Sequence, residues 1–369
     1  ATVMAQKPGY YTNDGTTDNT LKGEKVLTAS ESLTVSTMDD LIGGSTGTTK
    51  VAKVGETEYE TLAQAIAEAG ENSTVTLLAD VNTPETTYVI SKSLTIDLNG
   101  KTITGSGYDG VFQIDGKGAH VLIKNGNVVA VEQSGTEGKY AMAVWACAEN
   151  CVVTLEGLTV TQDITHTDDK QMDMIYASKG TIIIDSGFFK SGTPAWTLNC
   201  KDAAFKDGSA KIIVNGGEFV GFDPRNNKAE GTGTSFVADG VGVDYGAETS
   251  TFTAKANMTA QLLDASGNSV KAYTSLADAI TAAEAGQTVT LLDNVTDNIE
   301  IATDKNFTLD LNGHTINGGT GTAKATITNY GTVTITDSST AKTGTIKRDD
   351  SGTVGETSYY VIRNIGTMT

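Results

Sequence analysis

The chain has 369 residues, of which 38% are apolar and 6% aromatic, with 41 glycines and 4 prolines. This length allows two ordinary domains or one elongated repeat array, and so few aromatic residues argue against a large aromatic core. The formal net charge of −19 disfavours nucleic acids and anionic membranes as partners, because both attract basic proteins. No apolar run approaches the ~20 residues that cross a bilayer, so no membrane span is predicted.

The first 50 residues lack the repeated motif found further along the chain, and we expect residues 1–50 to be a separate attachment segment. Residues 1–5 fit the end of a cleaved signal peptide, which implies secretion. They equally fit a short extension before a native start at Met4, which implies a protein made without export, such as a virion component. Both origins stay open.

Two matching segments predict helices. TLAQAIAEAG at 61–70 has apolar residues at i, i+3, i+4 and i+7, the stripe of a helix packed on one side. SLADAITAAEAG at 275–286 repeats it. Each segment precedes a series of strand motifs, and we predict that each helix caps the open end of an apolar core.

An internal duplication is the strongest feature of the sequence. LTIDLNGKTITG at 94–105 recurs as FTLDLNGHTING at 307–318. A finer motif has two alternating apolar residues, a polar step with Gly or Asn, and another apolar position. It starts at near-regular intervals, at Leu94, Val121, Val153, Ile182 and Ile212, and then at Phe307 and Val333. ATITNYGTVTI at 325–335 also recurs as YVIRNIGTMT at 360–369.

The repeated motif predicts strands that stack in parallel. Period-two alternation places Leu94, Ile96 and Leu98 on one face and Asp97 on the other. A unit of about 30 residues cannot bury its apolar face alone, so successive units stack on one another. The sequence therefore predicts an all-β, parallel β-solenoid rather than an antiparallel sandwich, whose strands need not share one motif.

The arrangement TLAQAIAEAG…VTLLADV…LTIDLNGKTITG, with IIVNGGEFVGFDP at 212–224, resembles the pectate-lyase-like superfamily. It is similar in particular to modules of large surface proteins of gut bacteria and of their phages, and residues 25–44 resemble the base of phage head fibres. The resemblance covers residues 51–245 and 260–369. It implies a right-handed parallel β-helix in two tandem copies, at 51–245 and 246–369, each preceded by a short capping helix.

The resemblance is specific for fold and not for function, because this superfamily includes lyases, hydrolases, tailspikes and inert stalks. Repeats, acidity and the lack of a catalytic motif favour a non-enzymatic extracellular fibre or adhesin on a virion or bacterial surface, with no cofactor. Residues 1–50 then anchor it to a capsid or cell wall, and a phage fibre implies a homotrimer. The alternative is a polysaccharide lyase or glycoside hydrolase on the same scaffold.

Two groups of side chains are candidate binding residues. Trp145, Tyr176 and Trp196 fall at loosely corresponding places on successive repeats and could stack on a glycan, although an inward-facing aromatic ladder explains them as well. Asp168, Asp169 and Asp173 lie in an acidic stretch that could hold a hard cation through oxygen ligands, although a solvated loop is the simpler interpretation. No catalytic residue is predicted.

The chain contains three cysteines, Cys147, Cys151 and Cys200. Their odd number does not suggest a disulfide framework, and their spacing does not match that of zinc ligands. Buried free thiols are favoured, with a local bridge between Cys147 and Cys151 left open. The final residues 366–369 stop where the matching segment after Gly331 continues, so we expect the second copy to be incomplete and the natural chain to be longer.

Overall fold

The computed structural model describes residues 6–7, 10–11, 49–105, 109–132, 141–164, 172–227, 230–231, 233–318, 325–348 and 360–369. The chain divides into two compact units, residues 1–50 and 51–369. In the first unit, β1 (Gln6–Lys7) pairs antiparallel with β2 (Tyr10–Tyr11). Nearly all the rest of the predicted attachment segment lies outside the described residues.

The second unit is built mainly from short strands. Its strands up to residue 255 are β3 (Ala52–Val54), β4 (Thr57–Tyr59), β5 (Ser73–Leu77), β6 (Val81–Thr83), β7 (Tyr88–Ile90), β8 (Leu94–Asp97), β9 (Thr102–Gly105), β10 (Phe112–Ile114), β11 (His120–Val131), β12 (Val144–Ala146), β13 (Val152–Asp163), β14 (Ile175–Ala177), β15 (Gly180–Ile184), β16 (Gly187–Lys190), β17 (Leu198–Cys200), β18 (Ala210–Val214), β19 (Gly217–Val220), β20 (Gly242–Gly246) and β21 (Thr251–Lys255). The helices here are α1 (Leu62–Glu68), α2 (Asp202–Asp207) and a 3-10 turn at Pro194–Trp196.

The remaining strands begin at residue 260 and surround one helix, α3 (Leu276–Ala282). They are β22 (Ala260–Leu263), β23 (Ser269–Tyr273), β24 (Thr288–Leu291), β25 (Val295–Thr296), β26 (Ile299–Ile301), β27 (Asn306–Asp310), β28 (Thr315–Gly318), β29 (Ile327–Asn329), β30 (Thr332–Thr336), β31 (Thr345–Arg348), β32 (Ile362–Asn364) and β33 (Thr367–Met368).

The predicted motif starts lie side by side in parallel ladders. Val121 pairs with both Leu94 and Val153, Val153 with Ile182, and Ile182 with Ile212. In the second copy, β27 pairs with β30 and β30 with β33, again in parallel. The all-β prediction with parallel strand pairing is therefore confirmed.

Alternating apolar residues of these ladders form the core. Leu94, Ile96 and Leu98 are at most 2% exposed, whereas Thr95 and Asp97 between them are partly exposed. One buried cluster extends from residue 52 to residue 254, and a second from residue 260 to residue 333. Like side chains thus pack on like side chains from strand to strand, which is the burial that a single repeat cannot provide.

Asn-Gly pairs turn the chain at the strand ends. Asn99 and Gly100 have φ of 50° and 73°, and Asn312 and Gly313 have φ of 44° and 82°. Glycine and asparagine tolerate this left-handed region better than other residues. The Asn99 side chain also donates to the Leu77 carbonyl oxygen at 3.1 Å, so it fixes the turn to the neighbouring strand.

The two predicted helices are confirmed. The Thr61 side chain accepts a hydrogen bond from the Gln64 amide at the start of α1, and Ser275 accepts one from Asp278 at the start of α3. Their apolar stripes are buried, with Leu62 at 1% and Leu276 at 2% exposure. None of the helices in the described part of the chain is long and apolar enough to cross a membrane.

Short antiparallel additions flank the parallel ladders. β3 pairs antiparallel with β4 and β5 at the start of the first copy, and β22 pairs likewise with β23 and β24 near the start of the second. Where the copies meet, β21 pairs antiparallel with both β19 and β20. The pairing of β20 with β21 was not predicted, because the polar, Gly-rich sequence after residue 223 lacks the repeated motif.

All three cysteines are free, so the local bridge left open by the sequence is not formed. Cys151 and Cys200 are buried and Cys147 is partly buried. Burial, with the carboxylate of Asp115 as the next contributor, raises the pKa of Cys147 to about 11. This thiol therefore stays protonated and weakly nucleophilic at neutral pH.

Candidate functional site

A row of side chains runs across the sheet formed by β7, β10, β12, β14 and β17. Parallel register places Val89, Gln113, Trp145, Tyr176 and Asn199 next to one another at the central position of successive strands. Because side chains alternate along a strand, this row lies on the face opposite the buried residues at either side of each position. We call these five residues the central row.

Trp145 and Tyr176 are the aromatic part of the central row. Their ring centroids are 6.4 Å apart and the ring planes are tilted by 34°. Trp145 Nε1 donates to Ser178 Oγ at 2.8 Å, which fixes the indole against the strand. Both residues are partly exposed. The two rings therefore form an accessible apolar surface in a fixed position, of the kind on which a sugar ring stacks.

Trp196 does not belong to the central row. It lies in the 3-10 turn that precedes β17, and it is partly exposed. The register partner of Tyr176 is Asn199, which lies further along the chain than Trp196. Of the three predicted aromatic residues, the structure therefore brings Trp145 and Tyr176 together in one ladder and leaves Trp196 outside it.

The acidic candidates are only partly visible. Asp168 and Asp169 lie outside the described residues. Asp173 lies just before β14, and its Oδ1 accepts a hydrogen bond from Asn199 Nδ2 at 2.8 Å. Within the described ranges, no group of three or more His, Cys, Asp or Glu residues is placed to hold a metal ion.

Burial changes the titration of the groups around Tyr176. Burial raises the pKa of Asp173 to about 6, the hydrogen bond from Asn199 opposes this, and the charge of Glu230 adds to it. Burial also raises the pKa of Glu230, whose Oε1 accepts from the Cys200 amide at 2.6 Å. The pKa of Tyr176 rises to about 12, first through burial and then through Asp173.

Asn199 and Glu230 are the members of this site that sequence reasoning missed. Tyr176 follows Trp145 by one full repeat, but Asn199 follows Tyr176 by clearly less than a repeat, so a search at the repeat interval passes over it. Glu230 lies in the Gly-rich stretch outside the repeats. No sequence pattern places it near Cys200, and only the fold does so.

The site combines two aromatic rings with two carboxyl groups that bind protons more readily than usual. Such a face can stack on a sugar and hydrogen-bond its hydroxyls, and Asp173 can exchange a proton near pH 6. Comparison with protein-family models, with curated proteins and with solved structures found no match to this chain. The function is therefore inferred from the residues themselves.

Proposed function

We propose that residues 51–369 form a right-handed parallel β-helix in two tandem copies, and that the chain is a non-enzymatic extracellular fibre or adhesin-like protein. The observation that carries this proposal is the register: five motif starts in one copy pair consecutively in one parallel ladder. A stack of this kind is stiff, and its apolar core is covered along its length. These properties suit a structural shaft better than an enzyme that works by domain movement.

The setting that we propose is the surface of a virion or of a bacterial cell. The acidic charge of −19 favours solubility when many copies are displayed together, and the resemblance to surface modules of gut bacteria and their phages agrees with it. In this proposal residues 1–50 anchor the chain to a capsid or a cell wall. A phage fibre would be a homotrimer.

Imaging of the natural assembly tests this setting. Cryo-electron microscopy of intact particles or cells, with antibody fragments against residues 1–50, should show that segment at the capsid or wall and the remainder projecting outward. A chain found inside the cell, or as a compact soluble monomer with no attachment, would contradict the proposal.

The surface that we propose for attachment is the aromatic part of the central row. Its two rings are held 6.4 Å apart and are partly exposed. Trp145→Ala and Tyr176→Ala should each reduce binding on a glycan array by about tenfold, because stacking on an aromatic ring contributes roughly 1 kcal/mol or more. Tyr245→Ala is the matched control, since Tyr245 is 41% exposed on a different sheet.

A polysaccharide-cleaving enzyme is the second candidate. The observation that favours it is the pair of raised pKa values at Asp173 and Glu230 beside Tyr176, because glycosidases keep one carboxylic acid protonated near neutral pH. Release of reducing ends from a polysaccharide panel, abolished by Asp173→Asn and by Glu230→Gln, would establish it. Asp168→Ala and Asp169→Ala test the acidic stretch predicted from sequence. No release by the wild-type chain would leave the fibre proposal in place.

A further inference from the structure

A cavity of about 470 Å³ lies where the first copy meets the second. One wall comes from the segment that closes the first copy, after residue 223, and the other from the outer face of β24 and β27. The polar side chains of Arg225 and Asp239 line it from the first wall, and those of Thr290, Asp310, Asn312 and His314 from the second.

Buried hydrogen bonds join the first wall to β22 and β23, and β22 pairs with β24 of the second wall. Gln261 is fully buried, its Oε1 accepts from the Val243 amide at 2.7 Å, and its Nε2 donates to the Val243 carbonyl oxygen at 2.9 Å. Asp223 Oδ2 accepts from the Ser269 amide at 2.9 Å. Because these polar groups are buried and paired, the walls cannot separate without exposing them. The cavity is thus a preformed feature of the structure.

Arg225 brings to the cavity a guanidinium group with one unsatisfied nitrogen. The residue is partly exposed, but its Nε atom is buried and has no hydrogen-bond partner within the described residues. Its Nη1 donates a long hydrogen bond to the Val241 carbonyl oxygen, at 3.5 Å. Burial lowers the pKa of Arg225, while the carboxylates of Asp223 and Asp310 raise it. A buried donor of this kind is usually paired.

Thr290 is a second unsatisfied group in the same cavity. It is 4% exposed, and its Oγ1 is buried without a partner in the part of the chain that the structure describes. The corresponding residue of the first copy, Thr76, is partly exposed and can bond to water. Arg225 and Thr290, each with one buried polar atom that lacks a partner in the described part of the chain, therefore line the same cavity from opposite walls.

Asp310 also differs from its counterpart in the first copy. Asp97 has Lys124 as its register partner, with the Nζ atom 3.8 Å from the carboxylate, whereas the register partner of Asp310 is Thr336. Asp310 Oδ1 accepts from the amides of Asn312 and Ser338 at 3.0 and 2.8 Å. The second copy thus has no lysine at the strand position that neutralises Asp97 in the first.

The balance of charges and polar groups indicates the class of ligand. The lining has one arginine against Asp239 and Asp310, so an anion gains little there. Donors and acceptors are mixed, which suits hydroxyl groups because each of them both donates and accepts. The volume lies within the usual range of small-molecule sites. We propose that this cavity binds a neutral sugar residue, with ligand hydroxyls accepting from Arg225 and donating to Asp310.

This site is independent of the central row and goes beyond the proposed fibre function. The test uses the full chain, with D-glucose, D-galactose, D-mannose and L-rhamnose as probes in saturation-transfer NMR and calorimetry. D-glucuronate and inorganic phosphate are the anionic probes. We expect at least one neutral sugar to bind, with affinity reduced at least tenfold by Arg225→Gln and by Asp310→Asn. Thr290→Val, which removes only the unsatisfied hydroxyl, should reduce it severalfold.

Asp97→Asn is the matched control, because Asp97 occupies the same motif position in the first copy and does not line the cavity. It should bind as the wild type does. The proposal is overturned if none of the four sugars binds, if an anionic probe binds in preference to them, or if Asp310→Asn and Thr290→Val bind as the wild type does. Thr290→Val decides the matter if Arg225→Gln fails to fold. Trp145→Ala should leave sugar binding in the cavity unchanged. This result distinguishes the cavity from the attachment surface formed by Trp145 and Tyr176.

Discussion

The two copies of the duplicated unit fold alike where the motif is shared. The start of α1 is capped by Thr61 and the start of α3 by Ser275. Lys92 Nζ donates to the Ala67 carbonyl oxygen at 2.8 Å at the end of α1, and Lys305 Nζ donates to the Thr281 carbonyl oxygen at 2.6 Å at the end of α3. The same short sequence thus builds the same local structure twice.

The copies differ in what surrounds the shared motif. Lys101 of the first copy is His314 in the second, and the lysine that neutralises Asp97 has no equivalent beside Asp310. The second copy is also covered at β24, so that Thr290 is buried. The motif therefore determines the backbone, while its neighbours determine which polar groups are left without a protein partner.

Truncation of the shared core should produce the largest effect. Ile96 and Leu309 occupy the same motif position, and both are fully buried. Ile96→Ala and Leu309→Ala should each lower the free energy of unfolding by about 2–5 kcal/mol, from lost burial and the cavity left behind. Urea unfolding monitored by circular dichroism measures this. If the copies unfold separately, each variant should shift only one of two transitions. If the copies form one cooperative unit, both variants should shift the same single transition.

Loss of the turn asparagine should have a smaller effect of the same kind in each copy. Asn99→Ala and Asn312→Ala place alanine at φ of 50° and 44° and remove the bonds to Leu77 and Leu291. We expect a loss of about 1–3 kcal/mol of unfolding free energy for each. Asn99→Gly keeps the backbone freedom and loses only the hydrogen bond, so a cost equal to that of Asn99→Ala would contradict the role given to φ.

A pH dependence should distinguish the first copy from the second. The pKa of Asp173 is raised to about 6 in the folded chain, above the value of about 3.9 of an unfolded aspartate. The folded state therefore binds the proton more tightly. The contribution of Asp173 to stability is therefore greatest below about pH 4 and is lost as the pH rises through about 6. Asp173→Asn should remove on the order of 1 kcal/mol of this dependence, measured as unfolding free energy from pH 4 to pH 7. If Asp173→Asn leaves the slope of unfolding free energy against pH unchanged, Asp173 is not the source of the pH dependence.

The lysines that cap the helices should give the smallest effect. Lys92→Met and Lys305→Met keep the aliphatic part of the side chain and remove the donors to the last carbonyl groups of α1 and α3. We expect each to cost about 0.5–1 kcal/mol of unfolding free energy. Similar losses in both copies would support their equivalence, whereas a loss in one alone would show that its helix depends on other contacts.

Sequence alone predicted the parts of the fold that repeat. The starts Val121, Val153 and Ile182 were assigned from alternation and spacing, and they pair with one another in register. The apolar stripes of the two helices were predicted for the same reason, since burial follows periodicity. The left-handed turns at Asn99 and Asn312 agree with residue type, because asparagine tolerates positive φ better than most residues.

The remaining features depend on contacts between distant segments that share no motif. β20 and β21 lie in the Gly-rich stretch, and their antiparallel pairing gave no periodic signal. Glu230 reaches the Cys200 amide only because that stretch folds back on β17. The cavity beside Arg225 likewise needs two walls that are far apart in the sequence, such as those bearing Arg225 and Thr290. Of the candidate site, the sequence therefore indicated Trp145, Tyr176 and Asp173 but not Asn199 and Glu230.

Strand pairing in this chain does not depend on the length of the connections. The stretch from Val121 to Val153 is longer than the stretch from Leu94 to Val121, yet both pairs are register partners. An insertion at a corner therefore leaves the ladder intact, whereas a one-residue shift within a strand turns its apolar residues outward. Gain or loss of a whole repeat changes the ladder by one strand spacing, about 4.8 Å. Related chains can thus differ in the number of stacked strands and in the length of their loops while they keep the same strand pairing.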